Sequence, residues 1–510
     1  MKSMLGILLR LVLSMLRGVY RHGLFRLQRP NEPPLDKGSI PWLGHGLDLR
    51  KNLPAFLLKM QKKHGDIFTV QVGGAYYTFL MDPLSFQSVV KEFSSKMDGN
   101  AMKYKWLVKL FGYDNTSSLE PLHKSTKTHL MGSGLVDITQ AMSDNFKNVM
   151  LHDVNSEKMS RSWQQSELFQ FSFNIIFRAS YLTLFGNESA KQAGSREKAK
   201  EIDRIISEEL FHEFRKFDNM FPSSAFDRLP PEGKQELERL KKYFWTKLSM
   251  KNQMNKDNIS RWVTDQQTFF TKNRVPSYML ERSLFLKLWI SETNTGPAGF
   301  WILLFLMKNP EALKAVKEEI KQVIKASEQE VKPNGPLLSI TRHMMLKTPV
   351  LNSAMEEALR LAAAPLIVKV VLEDMTLKMA DGREYAIRKG DRVAMFPYIA
   401  VHMDPEVHPE PHLFKYNRFL NADGTRKVDF CKNGKRLKYF TMPFGAGDTI
   451  CSGRSFAVNV LKQLVFLMLT YFELELVNPK EDIPLMDHKR AGFGVMPPNH
   501  DILFRYRLIL

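Results

Sequence analysis

A single large, mainly α-helical domain with small β-sheets is the fold class this sequence predicts, and three observations predict it. From Asp82 to about Glu330, apolar residues recur at helical spacing with few paired Gly or Pro breaks. Two shorter stretches, from Asp66 and from Val368 to Met395, alternate apolar and polar residues and carry turn signals. No internal repeat or low-complexity tract divides the 510 residues, which suffice for a large core.

Composition narrows the class further. Hydrophobic content of 44% and charged content of 25% are ordinary for a globule, and argue against a disordered, collagen-like or multi-span chain. With Cys431 and Cys451 as the only cysteines, a disulfide framework and a zinc site of three or four cysteines are both excluded. A formal charge of +19 favours an acidic partner: anionic lipid, nucleic acid or an acidic protein surface.

Along the chain, the apolar run Met4 to Leu16 is followed by Arg17, Arg21, Arg26 and Arg29. It is read as a retained anchor, spanning or lying in the membrane interface, and the arginines after it place the body on the cytoplasmic side. Residues 1–29 are thus expected to be the anchor and its basic flank, 30–44 a proline-rich hinge, and 45–510 one catalytic domain. The pattern around Gly73-Gly74 predicts a hairpin. Leu284 to Met307 predicts one long helix crossing the core, opened by Pro297. Asn309-Pro310 and Thr348-Pro349 are expected to cap the two helices that follow. Arg454 to Phe472 is a further apolar helix.

Three constellations carry chemistry. Phe444-Gly445-Ala446-Gly447-Asp448-Thr449-Ile450-Cys451-Ser452-Gly453 sets a cysteine after a glycine-rich turn at the mouth of that last helix, where backbone N–H groups and the helix dipole favour a thiolate. Such a thiolate is a suitable axial ligand for a haem iron, with Phe444 packed beside the sulfur. Glu357 and Arg360 share a helical face and can pair, and Arg418 lies in a Pro-rich loop from which it could complete a buried charge network. His402, His408 and His412 invite a metal reading, but Pro405, Pro409 and Pro411 break any shared helical face, so zinc is disfavoured.

Phe444, Gly447, Cys451 and Gly453 resemble the haem-binding signature of the cytochrome P450 family, Glu357 with Arg360 resembles its E-x-x-R pair, and Arg418 its third network member. The stretches EPPLDKGSIPWLGHG, KHGDIFTVQVGG, FLMDPLSF, NTGPAGFW, VHMDPEVHPEP and FKYNRFLNADG look closest to its sterol 12-alpha-hydroxylase subfamily, and they span nearly the whole chain. The resemblance implies the family's helical haem-binding prism and haem b (iron protoporphyrin IX) held by Cys451. It also implies NADPH and O2 as co-substrates through an NADPH-cytochrome reductase, a sterol substrate, and residence on the endoplasmic reticulum membrane in contact with lipid.

In the family, an acid and an alcohol stand where this chain has Asn294 and Thr295, and they deliver protons for dioxygen cleavage. Asn294 is a departure from the broad family, while Thr295 retains the alcohol; the same hydroxyl could instead satisfy a carbonyl freed by Pro297. Thr449 stands where many members carry a propionate-pairing base, so that role is assigned by resemblance to Lys369, with Lys124 and Lys127 as alternatives. Trp289, Pro365 and Phe493 are expected by analogy of position to line an apolar substrate pocket.

A prostacyclin-synthase-like isomerase, a sterol 7-alpha-hydroxylase and a sterol- or haem-binding membrane protein without turnover are the rival readings. Thr295 argues against the isomerase, whose relatives resemble this motif with the alcohol missing. A nucleic-acid partner is discarded because no recognisable module accompanies the charge.

Overall fold

The computed structural model describes residues 26–92, 94–113, 120–151, 162–332 and 335–509. The expected anchor at Met4 to Leu16 lies outside them, and among the described residues no helix is long and apolar enough to cross a membrane.

Helices dominate, as predicted. Those that build the site are α1 (Leu168–Phe185), α2 (Arg196–Ala225), α3 (Ser277–Glu292), α4 (Thr295–Lys308), α5 (Pro310–Ala326), α6 (Pro349–Ala362) and α7 (Arg454–Tyr471). α4 is buried on nearly every face, from Thr295 to Leu306, and packs against α1, α6 and α7. Its Trp301 is wholly enclosed, with Nε1 donating to Met496 O at 2.7 Å. That bond satisfies the one polar atom of a large apolar side chain in the core.

The main sheet has the order β1-β2-β3-β6-β5-β4, formed by β1 (Leu35–Asp36), β2 (Ile67–Val72), β3 (Ala75–Leu80), β4 (Met97–Asp98), β5 (Ile367–Val371) and β6 (Arg392–Met395). β2 and β3 are the predicted hairpin, joined by Gly73 and Gly74 at positive φ. A type of turn with two left-handed residues suits Gly-Gly because neither has a Cβ to clash. β3 pairs β6 in parallel, β6 pairs β5 antiparallel and β4 closes the edge on β5, so the two alternating stretches of sequence become one sheet.

Three local expectations are corrected. The stretch Leu284 to Met307 is two helices, not one, with the break at Thr293 and Asn294. Pro297 cannot donate to the carbonyl four residues back, and that carbonyl is Thr293's. Asn309 does not cap α5; its Nδ2 turns back to Phe305 O at 2.7 Å. Thr348 does not cap α6 either. The cap comes from α5 instead, where the Glu319 carboxylate accepts from Val350 N at 2.7 Å and Leu351 N at 2.9 Å. A carboxylate at a helix amino end satisfies orphan donors and meets the positive end of the dipole.

The Thr348 hydroxyl is used elsewhere. It donates to Met345 O at 2.9 Å and accepts, at 2.9 Å, from Lys462 Nζ of α7, which also reaches Met345 O. Burial pulls the Lys462 ammonium down from 10.5 to about 8. Its folded value lies below its unfolded one, so the unfolded chain binds the extra proton between pH 8 and 10.5, and the penalty for burying the charge lifts across that window. Relative to Lys462→Met, the wild type should gain about 3 kcal/mol between pH 8 and pH 10.5. Urea midpoints of the two proteins measured across that range check it, and parallel curves would count against it.

Candidate active site

Cys451 lies at the end of a loop that enters from Phe440 and leaves into α7. Gly445 and Gly447 adopt φ of +72° and +59°, and a Cβ on Gly447 would stand 2.7 Å from Val90 Cγ1 and 2.8 Å from Val90 O. Only glycine lets the loop turn and seat there. Cys451 N donates to Phe444 O at 2.8 Å, closing the loop across its base. The cysteine side chain is exposed and α7 begins three residues later at Arg454, with Gly453 at its amino cap. A Cβ at Gly453 would lie 3.9 Å from the sulfur, an ordinary contact distance, so this glycine stands directly beside Sγ. A thiolate is favoured at such a helix mouth.

The expected charge network is assembled and buried. Arg360 Nε and Nη2 donate to the two oxygens of Glu357 at 2.7 and 2.9 Å, and Arg418 Nε donates to both at 2.9 Å. Lys415 N adds a backbone donor at 3.1 Å. Other guanidinium hydrogens go to main chain. Arg360 Nη1 reaches His402 O and Pro411 O, while Arg418 Nη1 and Nη2 reach Pro409 O, Glu410 O and Leu413 O. Two cations on one anion thereby become a clamp on the segment from His402 to Leu413.

Lys369 sits on β5, and β4 brings Gly99 against the cysteine loop. A Cβ on Gly99 would lie 2.6 Å from Thr449 Cγ2 and 3.8 Å from both Asp448 Oδ2 and Lys369 Cγ. The Lys369 side chain is 1% exposed, with Nζ 2.6 Å from Asp448 Oδ1 but short of an aligned hydrogen bond. A buried ammonium is thus held beside the cysteine loop by one half-exposed carboxylate. Lys127 is exposed, and the Lys124 side chain lies outside the described ones. The donor set fits haem: one exposed sulfur at a helix mouth, a glycine beside it, and a buried base for an acidic periphery. Among the described residues no cluster of His, Cys, Asp or Glu could hold a bare metal ion.

The helix break gathers the other expected residues. Thr295 is 4% exposed, and its hydroxyl donates to Ser291 O at 2.7 Å, a local bond within the helix end and not one to the Thr293 carbonyl that Pro297 frees. Asn294 Oδ1 accepts from Val495 N at 2.9 Å, and a Cβ on Gly494 would clash with it at 2.3 Å. Glu292 is fully enclosed, and burial pushes its carboxyl well above the usual carboxylate range.

Sequence reasoning missed Asp218 and Arg490. Asp218 Oδ2 takes Arg490 Nη1 at 2.6 Å, Asp218 Oδ1 takes the Thr293 hydroxyl at 2.6 Å, and Arg490 Nη2 donates to that hydroxyl oxygen. One turn away on each element stands an aromatic ring. Trp289 and Phe221 have centroids 4.4 Å apart, and Phe221 and Phe493 5.2 Å. Pro365 joins this wall through its bridge to Gly492. Trp289 and Phe493, expected from separate segments, thus meet through Phe221, while Pro365 is tied next to Phe493 only by its backbone bridge. No local pattern marks Asp218 or Arg490, which are 272 positions apart.

A family model described as cytochrome P450 matches residues 33–504. The chain is 46% identical over 488 residues to the human (Homo sapiens) 7-alpha-hydroxycholest-4-en-3-one 12-alpha-hydroxylase, covering 95% of both. It is equally similar, at 46% and the same coverage, to the 5-beta-cholestane-3-alpha,7-alpha-diol 12-alpha-hydroxylase of Sus scrofa. Prostacyclin synthase of Bos taurus is 41% identical, with 94% of this chain and 95% of that one covered.

The charge network generates a sharp contrast. Glu357→Gln keeps the shape but leaves two buried guanidiniums uncompensated, and should cost about 3–5 kcal/mol of stability. Glu356→Gln, one residue earlier, breaks a pair with the half-exposed Arg426 and should cost less than about 1 kcal/mol. Chemical denaturation of both variants measures the difference.

Proposed function

The chain belongs to the cytochrome P450 family, and from that premise we propose that it is a haem-thiolate monooxygenase that hydroxylates a sterol at carbon 12. The proposed substrate is 7-alpha-hydroxycholest-4-en-3-one, on the route to bile acids. Likeness to two sterol 12-alpha-hydroxylases along 95% of both chains carries this reading. Haem b, when bound, supplies reductive dioxygen activation: NADPH gives two electrons through a reductase, one oxygen atom enters a C–H bond as hydroxyl and the other leaves as water.

The chain's own residues then have distinct tasks. Cys451 would hold the haem iron through its sulfur, at a helix mouth of the kind that favours a thiolate. Lys369 would exchange its Asp448 partner for a carboxylate of the haem periphery, which costs little because Asp448 is half-exposed and can return to water. The Thr295 hydroxyl, turning from Ser291 O, is the proton-bearing group at the break. Asn294, whose amide oxygen is committed to Val495 N, fixes the backbone at that point. Trp289, Phe493 and Pro365 present an apolar wall suited to a sterol.

The retained alcohol at Thr295 favours a hydroxylase over an isomerase, which needs no proton delivery to dioxygen. The arginine-flanked amino terminus supports attachment to the endoplasmic reticulum membrane with the catalytic body facing the cytoplasm, where a basic surface suits an acidic electron donor.

Reconstituted with reductase and NADPH, the protein should convert 7-alpha-hydroxycholest-4-en-3-one to its 12-alpha-hydroxy product, identified by mass spectrometry and NMR. Turnover that needs no NADPH, or a hydroxyl placed on another carbon, would overturn the assignment. Cys451→Ser should abolish product. In Thr295→Ala, product per NADPH consumed should fall roughly tenfold or more, as expected on losing a proton-delivering group.

A further inference from the structure

We infer that His402 and His408 are positioning residues for the cysteine loop, two buried imidazoles of opposite tautomer that fix the backbone through which the chain enters it. The inference rests on Cys451 being the haem ligand.

His402 and His408 are both fully enclosed. Met442 N donates to His402 Nε2 at 2.9 Å, so that nitrogen carries a lone pair and the ring proton is on Nδ1. His408 Nε2 stands 2.8 Å from Phe440 O, an acceptor, so here the proton is on Nε2. One ring therefore accepts where the other donates, on residues 440 and 442 of the same short segment. Two residues further on, Phe444 O receives Cys451 N and closes the loop.

Each histidine is in turn held from below. The carbonyl of His402 takes Arg360 Nη1 at 2.5 Å, and its Nδ1–H turns toward the carbonyls of Arg360 and Ala363 at the end of α6, short of an aligned hydrogen bond. His408 is wedged against Phe419 and Phe430, with ring centroids 5.8 and 5.0 Å away. The next two carbonyls after it, those of Pro409 and Glu410, accept from Arg418. Both rings stay neutral, since burial and the Arg360 guanidinium depress them, His408 to about 3. A protonated His402 could not accept from Met442 N. The Glu357 network thus reaches the cysteine loop through two imidazoles, and no other side chain hydrogen-bonds Met442 N or Phe440 O among the described residues.

The test compares variants of the full-length, haem-loaded protein by three readouts: haem per chain, helix content by far-ultraviolet dichroism, and lifetime of the thiolate-ligated ferrous carbon-monoxide complex. His402→Leu and His408→Leu should keep haem and helix content, yet lose the thiolate form about tenfold faster than wild type, as one missing buried hydrogen bond implies. His402→Gln and His408→Gln place an amide at the Nε2 position that can turn to accept or donate, and should restore lifetimes to within about twofold. His402→Asn retains a buried amide that cannot reach Met442 N, and should behave like the Leu variant; it carries the test if the Leu variant does not fold.

Wild-type lifetimes in the Leu or Asn variants would overturn the inference. So would a loss of haem, helix and thiolate signal together in both the Asn and Gln variants, which marks a plain folding role. A wild-type protein whose haem never shows thiolate ligation sinks the Cys451 reading itself, and this inference with it.

Discussion

The carboxylate of Glu357, buried between the guanidiniums of Arg360 and Arg418, is the interaction on which the rest of the structure depends. Burying three charges is expensive, and the arrangement is stable only because every guanidinium arm finds an acceptor. Those acceptors are main-chain carbonyls of the segment from His402 to Leu413. A stretch with little regular secondary structure of its own, crossed by Pro405, Pro409 and Pro411, is thereby hydrogen-bonded to side chains in place of a ladder. The helix that carries the pair is itself pinned at its amino end by Glu319 and, through Thr348, by Lys462. Both ends of α6 are thus tied down by buried polar contacts.

The far side of the core uses the same physics for a different purpose. A proline within the first turn of α4 denies Thr293 O its helical donor, and the chain breaks there instead of running on as one helix. The break is not left loose. Asp218 from α2 and Arg490 from the carboxyl-terminal loop converge on the Thr293 hydroxyl, and Val495 N takes Asn294. Two elements distant in sequence, α2 and the carboxyl-terminal loop, therefore fix the backbone beside Thr295. The aromatic layer one turn away, Phe221, Trp289 and Phe493, repeats the convergence in apolar form. A polar layer that specifies geometry beside an apolar layer that excludes water suits a site that must orient a large, nearly featureless substrate.

How much of this was legible in the sequence follows the range of the forces involved. Helical periodicity, the Gly73-Gly74 hairpin, the glycine-rich loop before Cys451 and the Glu357–Arg360 spacing are local patterns, readable because backbone preference and side-chain period act over a few residues. Arg418 was legible too, through its place between the pair and the cysteine. Tertiary structure alone decided that Asn309 turns back to Phe305 and that Thr348 serves a lysine. It decided equally that His402 and His408 hold the cysteine loop instead of a metal, and that Asp218 and Arg490 meet at the helix break. A capping residue or a histidine has several partners of similar strength within reach, and sequence shows only the nearest. Which one it takes is set by desolvation, because a buried polar group must be satisfied by whatever the folded chain brings to it.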